Sequence, residues 1–436
     1  MEWRNIKNAG AHAFIVRLNT LSMNRIALKT NLPGPKSRII LERLKQKNGA
    51  FGVDHAYVHS GEGKGSHFAD VDGNVFLDFA GQIASNPLGY NHAAMVKVLE
   101  KHSNFTPIKY GGQDFAVPQH LHLLEELLKI VPKPMDAAFL INSGAEANEN
   151  AMKMAVRKNP NARIGISFEN GWHGRTTGAL SMTNSRSVQV KQYWRLPARR
   201  LPYTEDASEV LENLIKREYD ASEIGFVIME SVQGEGGYVP APQKMVTSIR
   251  KTTKKYGIPL ICDEVQSGMG RTGKWWAYQH YGITPDIQTC AKALQVAATV
   301  SKKSMFPAEG GAISSTWGGG HVLDMAMGAA IIREIKKKKL LKNATRMGNE
   351  MHKRLLEIHA ATNSIHRPRG LGLMQAFDVE DTKTRNAFRE KCFKEGLIVL
   401  GCGWSGIRMS PSLNIKSEEV HEGMDVIEKV ARGMKG

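Results

Sequence analysis

The stretch "ICDEVQSGMGRTGKWWAYQHYGITPDIQTCAKAL", Ile261–Leu294, decides how this chain is to be read. An apolar lead-in, Ile258–Cys262, stops at two carboxylates, Asp263 and Glu264. A loop rich in glycine follows, and a second apolar run ends at Lys292, 29 residues after Asp263. Short apolar runs with such punctuation read as buried strands of a parallel sheet. In open α/β sheets, ligands sit beyond the carboxyl ends of the strands. Asp263 and Lys292 are each just past such an end, so both are expected to face one crevice.

A lysine at the edge of a dry pocket has a lowered pKa and can form a Schiff base. An aspartate nearby can hold a protonated ring nitrogen. Pyridoxal phosphate needs both. Each residue alone has a plainer reading, since lysines after strands are usually solvated and acids at strand ends are usually caps. The cofactor also needs a phosphate cup. "INSGAEANENAMKMA" offers a strand, a tight turn and a helix, with Ser143 as N-cap and Glu146 at capping-box spacing. The N–H groups of Gly144 and Ala145 then point out of a helix N-terminus, which favours phosphate. A plain capped helix would look the same in sequence.

Working outward, "SHFADVDGNVFLDFAG" alternates around Asp-Gly as a hairpin does. Ser37–Lys47 reads as a short amphipathic helix. From about Gln119, strand patterns ("AAFLIN", "RIGISFE", "IGFVIMES", "IPLICDE") alternate with helical ones ("HLLEELLKIV", "GAEANENAMKMAVRK"), as a wound α/β sheet requires. After about Gly328 come a long helix and a mixed region, "RGLGLMQAFDVE", "LIVLGCGW" and "IRMSPSL", which reads as a small α+β domain. The expected division is residues 1–75 as an arm and part of the small domain, 76–328 as the large domain, and 329–436 as the rest of the small one.

The chain has 436 residues and is 42% hydrophobic, enough for a large core in more than one domain. No apolar run approaches the roughly 20 residues of a membrane span. Cys262, Cys290, Cys392 and Cys402 lack metal-ligand spacing and read as reduced thiols; no metal is expected. The net charge of +17 invites a nucleic-acid reading. Its densest run, "IKKKKLLKN" at Ile335–Asn343, looks instead like the exposed end of a helix. From Trp3 to Leu41 there are seven Lys or Arg and no acid. That fits a basic arm, an upstream start with Met23 as the natural one, or a transit peptide. The favoured reading is an arm or upstream start, with a cytoplasmic location.

"SGAEANENAMK", "GWHGRT", "ESVQGEGG", "CDEVQSGMGRTG", "PDIQTCAKAL" and "SSTWGGG", in this order and spacing, resemble the class III pyridoxal-phosphate aminotransferases of fold type I. The likeness runs from about residue 35 to near the end. It implies a large mixed-sheet cofactor domain and a small α+β domain built from both chain ends. By resemblance, Lys292 is the Schiff-base lysine and Asp263 the pyridinium partner. Trp172 stacks on the cofactor ring, and Gln266 contacts the ring hydroxyl. Thr316 reaches the phosphate of the neighbouring subunit, which implies a homodimer with shared sites. Arg175 matches a substrate-carboxylate arginine, and Arg408 the arginine that takes a carboxylate of the 2-oxo acid. Glu235 matches the glutamate that covers that arginine when an amine without an α-carboxylate is bound.

"GQIASNPLGYNH" resembles the substrate-side segment of 4-aminobutyrate and lysine 6-aminotransferases. Most members follow the lysine with a glycine-rich run; this chain departs, with "KALQVAATVSKK". The resemblance is closest to lysine 6-aminotransferase, then to the eukaryotic 4-aminobutyrate enzyme. The latter's cluster-binding cysteines have no counterpart, since no cysteine precedes Cys262. The expected reaction moves a terminal amino group to 2-oxoglutarate, giving a semialdehyde and glutamate. The rivals are an ornithine aminotransferase, a class III racemase or epimerase, and a basic nucleic-acid-binding protein that has kept the fold.

Overall fold

The computed structural model describes residues 23–104, 115–313 and 319–434. Near its start, β1 (His59–Lys64), β2 (His67–Asp70) and β3 (Val75–Asp78) form an antiparallel set. The β2–β3 hairpin turns at Asp72-Gly73, where the alternation placed it, with Gly73 at φ 81°. The arm before it docks on this set through Ala27, which bridges to Val75, and on helix Ser417–Arg432 through Ile26 N–H, which donates to Glu422.

The large sheet contains β4 (Ala137–Ile141), β5 (Ile164–Phe168), β6 (Ala198–Leu201) and β7 (Ile224–Glu230). A short ribbon, β8 (Val232–Gln233) with β9 (Val239–Pro240), follows β7. The sheet is completed by β10 (Leu260–Asp263), β11 (Ile287–Cys290) and β12 (Ala297–Ser301). The order is β4-β12-β11-β10-β7-β5-β6. Neighbours are parallel except that β12 runs against both β11 and β4. All residues of β7, β10 and β11 are buried, because helices cover both faces of the sheet. The cost of ordering those strands is offset by apolar burial, about 1.5–3 kcal/mol for each large side chain such as Ile228, Leu260 or Ile287.

The last third supplies β13 (His366–Leu371), β14 (Met374–Asp378), β15 (Leu397–Ile398), β16 (Leu400–Cys402) and β17 (Gly406–Met409). Four of them make the antiparallel sheet β13-β14-β17-β16, while β15 pairs in parallel with β3. Segments far apart in sequence therefore share one sheet. Helices Leu340–Thr362 and Ser417–Arg432 pack on each other beside it. The lysine run is as expected: Lys336, Lys337, Lys338 and Lys339 are exposed where helix Val322–Lys337 ends. All four cysteines are buried thiols.

Six of the seven strands of the large sheet point the same way. Their carboxyl ends, and the loops that follow, come out along one edge. There the chain delivers Asn142 to Ala145 after β4, Trp172 after β5, Asp263 at the tip of β10 and Lys292 after β11. Strand direction is what gathers the site.

Candidate active site

A cavity of about 530 Å³ at that edge is lined by Ser143, Gly144, Ala145, Trp172, Arg175, Glu235, Asp263, Gln266 and Lys292. Nine of the residues singled out from sequence thus meet in one place. Arg408 is not on the cavity wall but behind it, covered by Glu235. Thr316 lies outside the described residues.

Lys292 is deeply buried, and its pKa is lowered to about 8. Burial is the larger cause, since it penalises the ammonium form; the nearby Arg408 charge adds to it, against Glu235, Asp263 and Glu230. The residue has φ 48°, a left-handed conformation that costs a lysine roughly 1–3 kcal/mol and marks an over-determined position. Gln295 holds the turn from outside. It has φ 68°, and its Nε2 donates to the carbonyls of Lys292 and Ser85.

Asp263 is 4% exposed and fully engaged. Its Oδ2 accepts from Asn148 Nδ2 at 2.8 Å and lies 2.8 Å from His173 Nδ1, and its Oδ1 accepts from Val265 N–H at 3.0 Å. Asn148 is itself fixed, donating to the His173 carbonyl and accepting from Thr289 Oγ1. Neither Asn148 nor His173 was assigned a role from sequence. Both stand inside quoted motifs, and a buried asparagine on a helix facing the sheet needs polar partners, which is the signal that was there to read. Glu264, next along, turns to the other side. Its carboxylate accepts from Ala277 N–H, Tyr278 N–H, Ser231 and Ser267, tying down the glycine-rich loop.

The phosphate-cup expectation has its local geometry. Ser143 and Glu146 form a reciprocal capping box at the start of helix Gly144–Arg157. Loop "GWHG" lies tight against that N-terminus. Gly174 has φ 131°, and a Cβ there would meet Ala145 Cβ at 2.5 Å. Trp172 is half-buried, with its N–H donating to Glu230 and the Arg175 guanidinium 5.3 Å above its ring. Burial raises the pKa of Glu230, and the Asp263 charge raises it further against His173. Gln266 Nε2 is buried without a partner among the described residues, a donor left for something in the cavity.

Behind the wall, Arg408 on β17 pairs with Glu235 at 2.5 Å. Burial alone would lower the pKa of this 5%-exposed arginine, but the facing Glu235 carboxylate more than reverses that.

A family model described as "Aminotransferase class-III" matches residues 49–431. The chain belongs to the class III aminotransferases. Its fold is fold type I and its cofactor is pyridoxal phosphate. Mitochondrial 4-aminobutyrate aminotransferase of Sus scrofa is 29% identical, over 99% of this chain and 95% of its own. Acetylornithine aminotransferase of Archaeoglobus fulgidus is 35% identical over 84% and 93%. The solved lysine aminotransferase of M. tuberculosis matches with TM-score 0.81 at 24% identity, covering 90% of this chain and 98% of that one, a likeness of fold.

The residues present fit the cofactor. A buried amine of lowered pKa, a fixed carboxylate, an open helix N-terminus and the unpartnered Gln266 amide all reach one cavity of ligand size.

Proposed function

We propose that this aminotransferase moves the terminal amino group of an amino acid, of the lysine or 4-aminobutyrate type, to 2-oxoglutarate, giving a semialdehyde and glutamate. The observation that carries this is the Glu235–Arg408 pair. An ω-amine brings no α-carboxylate to the reacting carbon, and an uncovered guanidinium there would be a costly unpaired charge. Glu235 covers it. An oxo acid brings its own carboxylate, which takes Arg408 bidentately once Glu235 moves aside. Arg175, which lines the cavity, would then take the distal carboxylate of the amine donor. The acetylornithine relatives also fit this substrate class, with an amine at one end and a carboxylate at the other.

Bound pyridoxal phosphate supplies an aldehyde that condenses with amines and a ring that withdraws electrons from the adjacent C–H bond. Lys292 would carry it and, once displaced, move a proton at the substrate carbon through Nζ, general acid–base work suited to an amine titrating near pH 8. Asp263, oriented by Asn148, His173 and Val265, would keep the ring nitrogen protonated. The helix N-terminus at Ser143, Gly144 and Ala145 would take the phosphate, Trp172 the ring face, and Gln266 the ring hydroxyl.

Single-turnover spectra of the two half-reactions test the reading. Glu235→Ala should slow the ω-amine half at least about tenfold and leave the glutamate half the less affected. Arg408→Ala should do the reverse, weakening 2-oxoglutarate most. Equal damage to both halves in both variants would overturn it. Profiling of terminal amines against 2-oxoglutarate would then name the preferred donor.

A further inference from the structure

Glu235 stands in a wall between two cavities. Its side chain lines the one with Lys292, while Gln233 and Gly236 on either side of it line a second, of about 670 Å³, together with Arg186, Arg369 and Arg385. The carboxylate is approached by two guanidinium groups. Its Oε1 lies 2.5 Å from Arg408 Nη2, and its Oε2 lies 3.7 Å from Arg186 Nη2. Only the first is within hydrogen-bond range.

Arg186 has capacity to spare. Its Nε is buried without a partner among the described residues. The other arginines of that cavity are engaged. Arg369 holds Asp378 through two bonds of 3.0 Å, with Arg367 on the same carboxylate, and Arg385 donates to the carbonyls of Gly403 and Trp404. The backbone beneath Glu235 is pinned. Its carbonyl accepts from Gly403 N–H at 2.8 Å, and a Cβ on Gly236 would meet the Asn170 carbonyl at 2.7 Å. Freedom is left to the side chain.

We propose that Arg186 is a positioning residue: it is the second seat of Glu235, taking the carboxylate when Arg408 is released to the oxo acid. The inference rests on the Glu235–Arg408 exchange proposed above and adds where the displaced charge goes. With the amine donor bound, Glu235 stays on Arg408 and Arg186 keeps only its longer approach of 3.7 Å. With the oxo acid bound, two charge-assisted pairs form, Arg408 with the substrate carboxylate and Glu235 with Arg186. Without the second seat, each oxo-acid encounter would strand a carboxylate in a largely desolvated wall. Arg186 thus contributes to oxo-acid affinity without touching the oxo acid.

The test uses the holoenzyme with Arg186→Gln and Arg186→Lys, each made also in a Glu235→Gln background. Two quantities are read: both half-reactions by stopped flow, and the affinity for glutarate, an unreactive dicarboxylate, by calorimetry. Arg186→Gln should weaken glutarate and raise the 2-oxoglutarate KM about tenfold or more, with under about threefold change on the amine side. Arg186→Lys should recover most of the loss. In the Glu235→Gln background, Arg186→Gln should add less than about twofold, because the carboxylate it would receive is gone. A loss that persists in that background would overturn the proposal, since Arg186 would then be meeting the substrate itself. Equal losses in both half-reactions would overturn it as a structural effect. If Glu235→Gln alone is asymmetric while Arg186→Gln is silent, the seat is wrong and the exchange stands. If Glu235→Gln is symmetric, both fall.

Discussion

Lys292 and Asp263 meet opposite treatment from their surroundings. The lysine is starved of partners, so burial favours its neutral amine, while the carboxylate is given three polar contacts. The sign fixes a pH dependence. A free lysine is mostly ammonium until about pH 10.4, but one lowered to about 8 is half neutral near pH 8. The rate of pyridoxal phosphate loading into the apo-protein should therefore rise with pH and level off above that value. Absorbance stopped flow would show it, and a rate still climbing at pH 10 would refute the lowered lysine. Borohydride should trap no adduct in Lys292→Ala. Asp263→Asn should lose at least about a hundredfold in kcat, the scale of removing one fixed charge opposite developing charge; near-normal turnover would mean another acid holds the ring. Both residues were legible in sequence because they punctuate apolar runs. Asn148 and His173 stand in motifs that could be read, but that both serve Asp263 is set by tertiary packing, which no local pattern carries.

At the level of elements, the segment Gly81–Ala84 shows what sequence patterning leaves out. All four residues have positive φ (54°, 52°, 59° and 63°), a single left-handed turn. Glycine takes this freely, but Gln82, Ile83 and Ala84 each carry a cost of about 1–2 kcal/mol. No local propensity calls for it. Side-chain bonds hold it: buried Asp78 accepts from Ala80 N–H and Gly81 N–H at 2.8 Å and from the Tyr90 hydroxyl at 2.7 Å, Gln82 Nε2 donates to that same hydroxyl, and from far along the chain Ser410 Oγ donates to the Ala80 carbonyl at 2.9 Å. The turn leads to Ser85 on the cavity wall, whose carbonyl is held by Gln295. Tyr90→Phe strips one donor from a buried carboxylate that burial already disfavours, and should cost about 1–3 kcal/mol. Thermal unfolding would register this as a lowered Tm. An unchanged Tm would show that the turn is held without the hydroxyl.

For the whole molecule, the alternation of strand and helix and the hairpin at Asp72-Gly73 could be read directly, because period and turn chemistry are local. Two features could not. An apolar strand has the same pattern in either direction, so the reversal of β12 was not legible, nor was the pairing of β15 with β3 across more than three hundred residues. Thr316, expected by resemblance to reach the phosphate of a second copy, poses the same kind of question between chains. Ser143, at the helix start proposed to take the phosphate, is exposed, so that end is open to a neighbouring subunit. The shared-site proposal predicts complementation. In a heterodimer of Lys292→Ala and Thr316→Asp subunits, one site inherits both changes. The other combines an intact Lys292 with the partner's intact Thr316. Random reassortment makes about half of the dimers heterodimers, and one of the two sites in each is intact, so about a quarter of wild-type activity should return from two inactive parents. The mixture is to be unfolded and refolded together, with sedimentation confirming dimers of both parents and of the mixture. Dimers that form and stay inactive would show that each chain completes its own site.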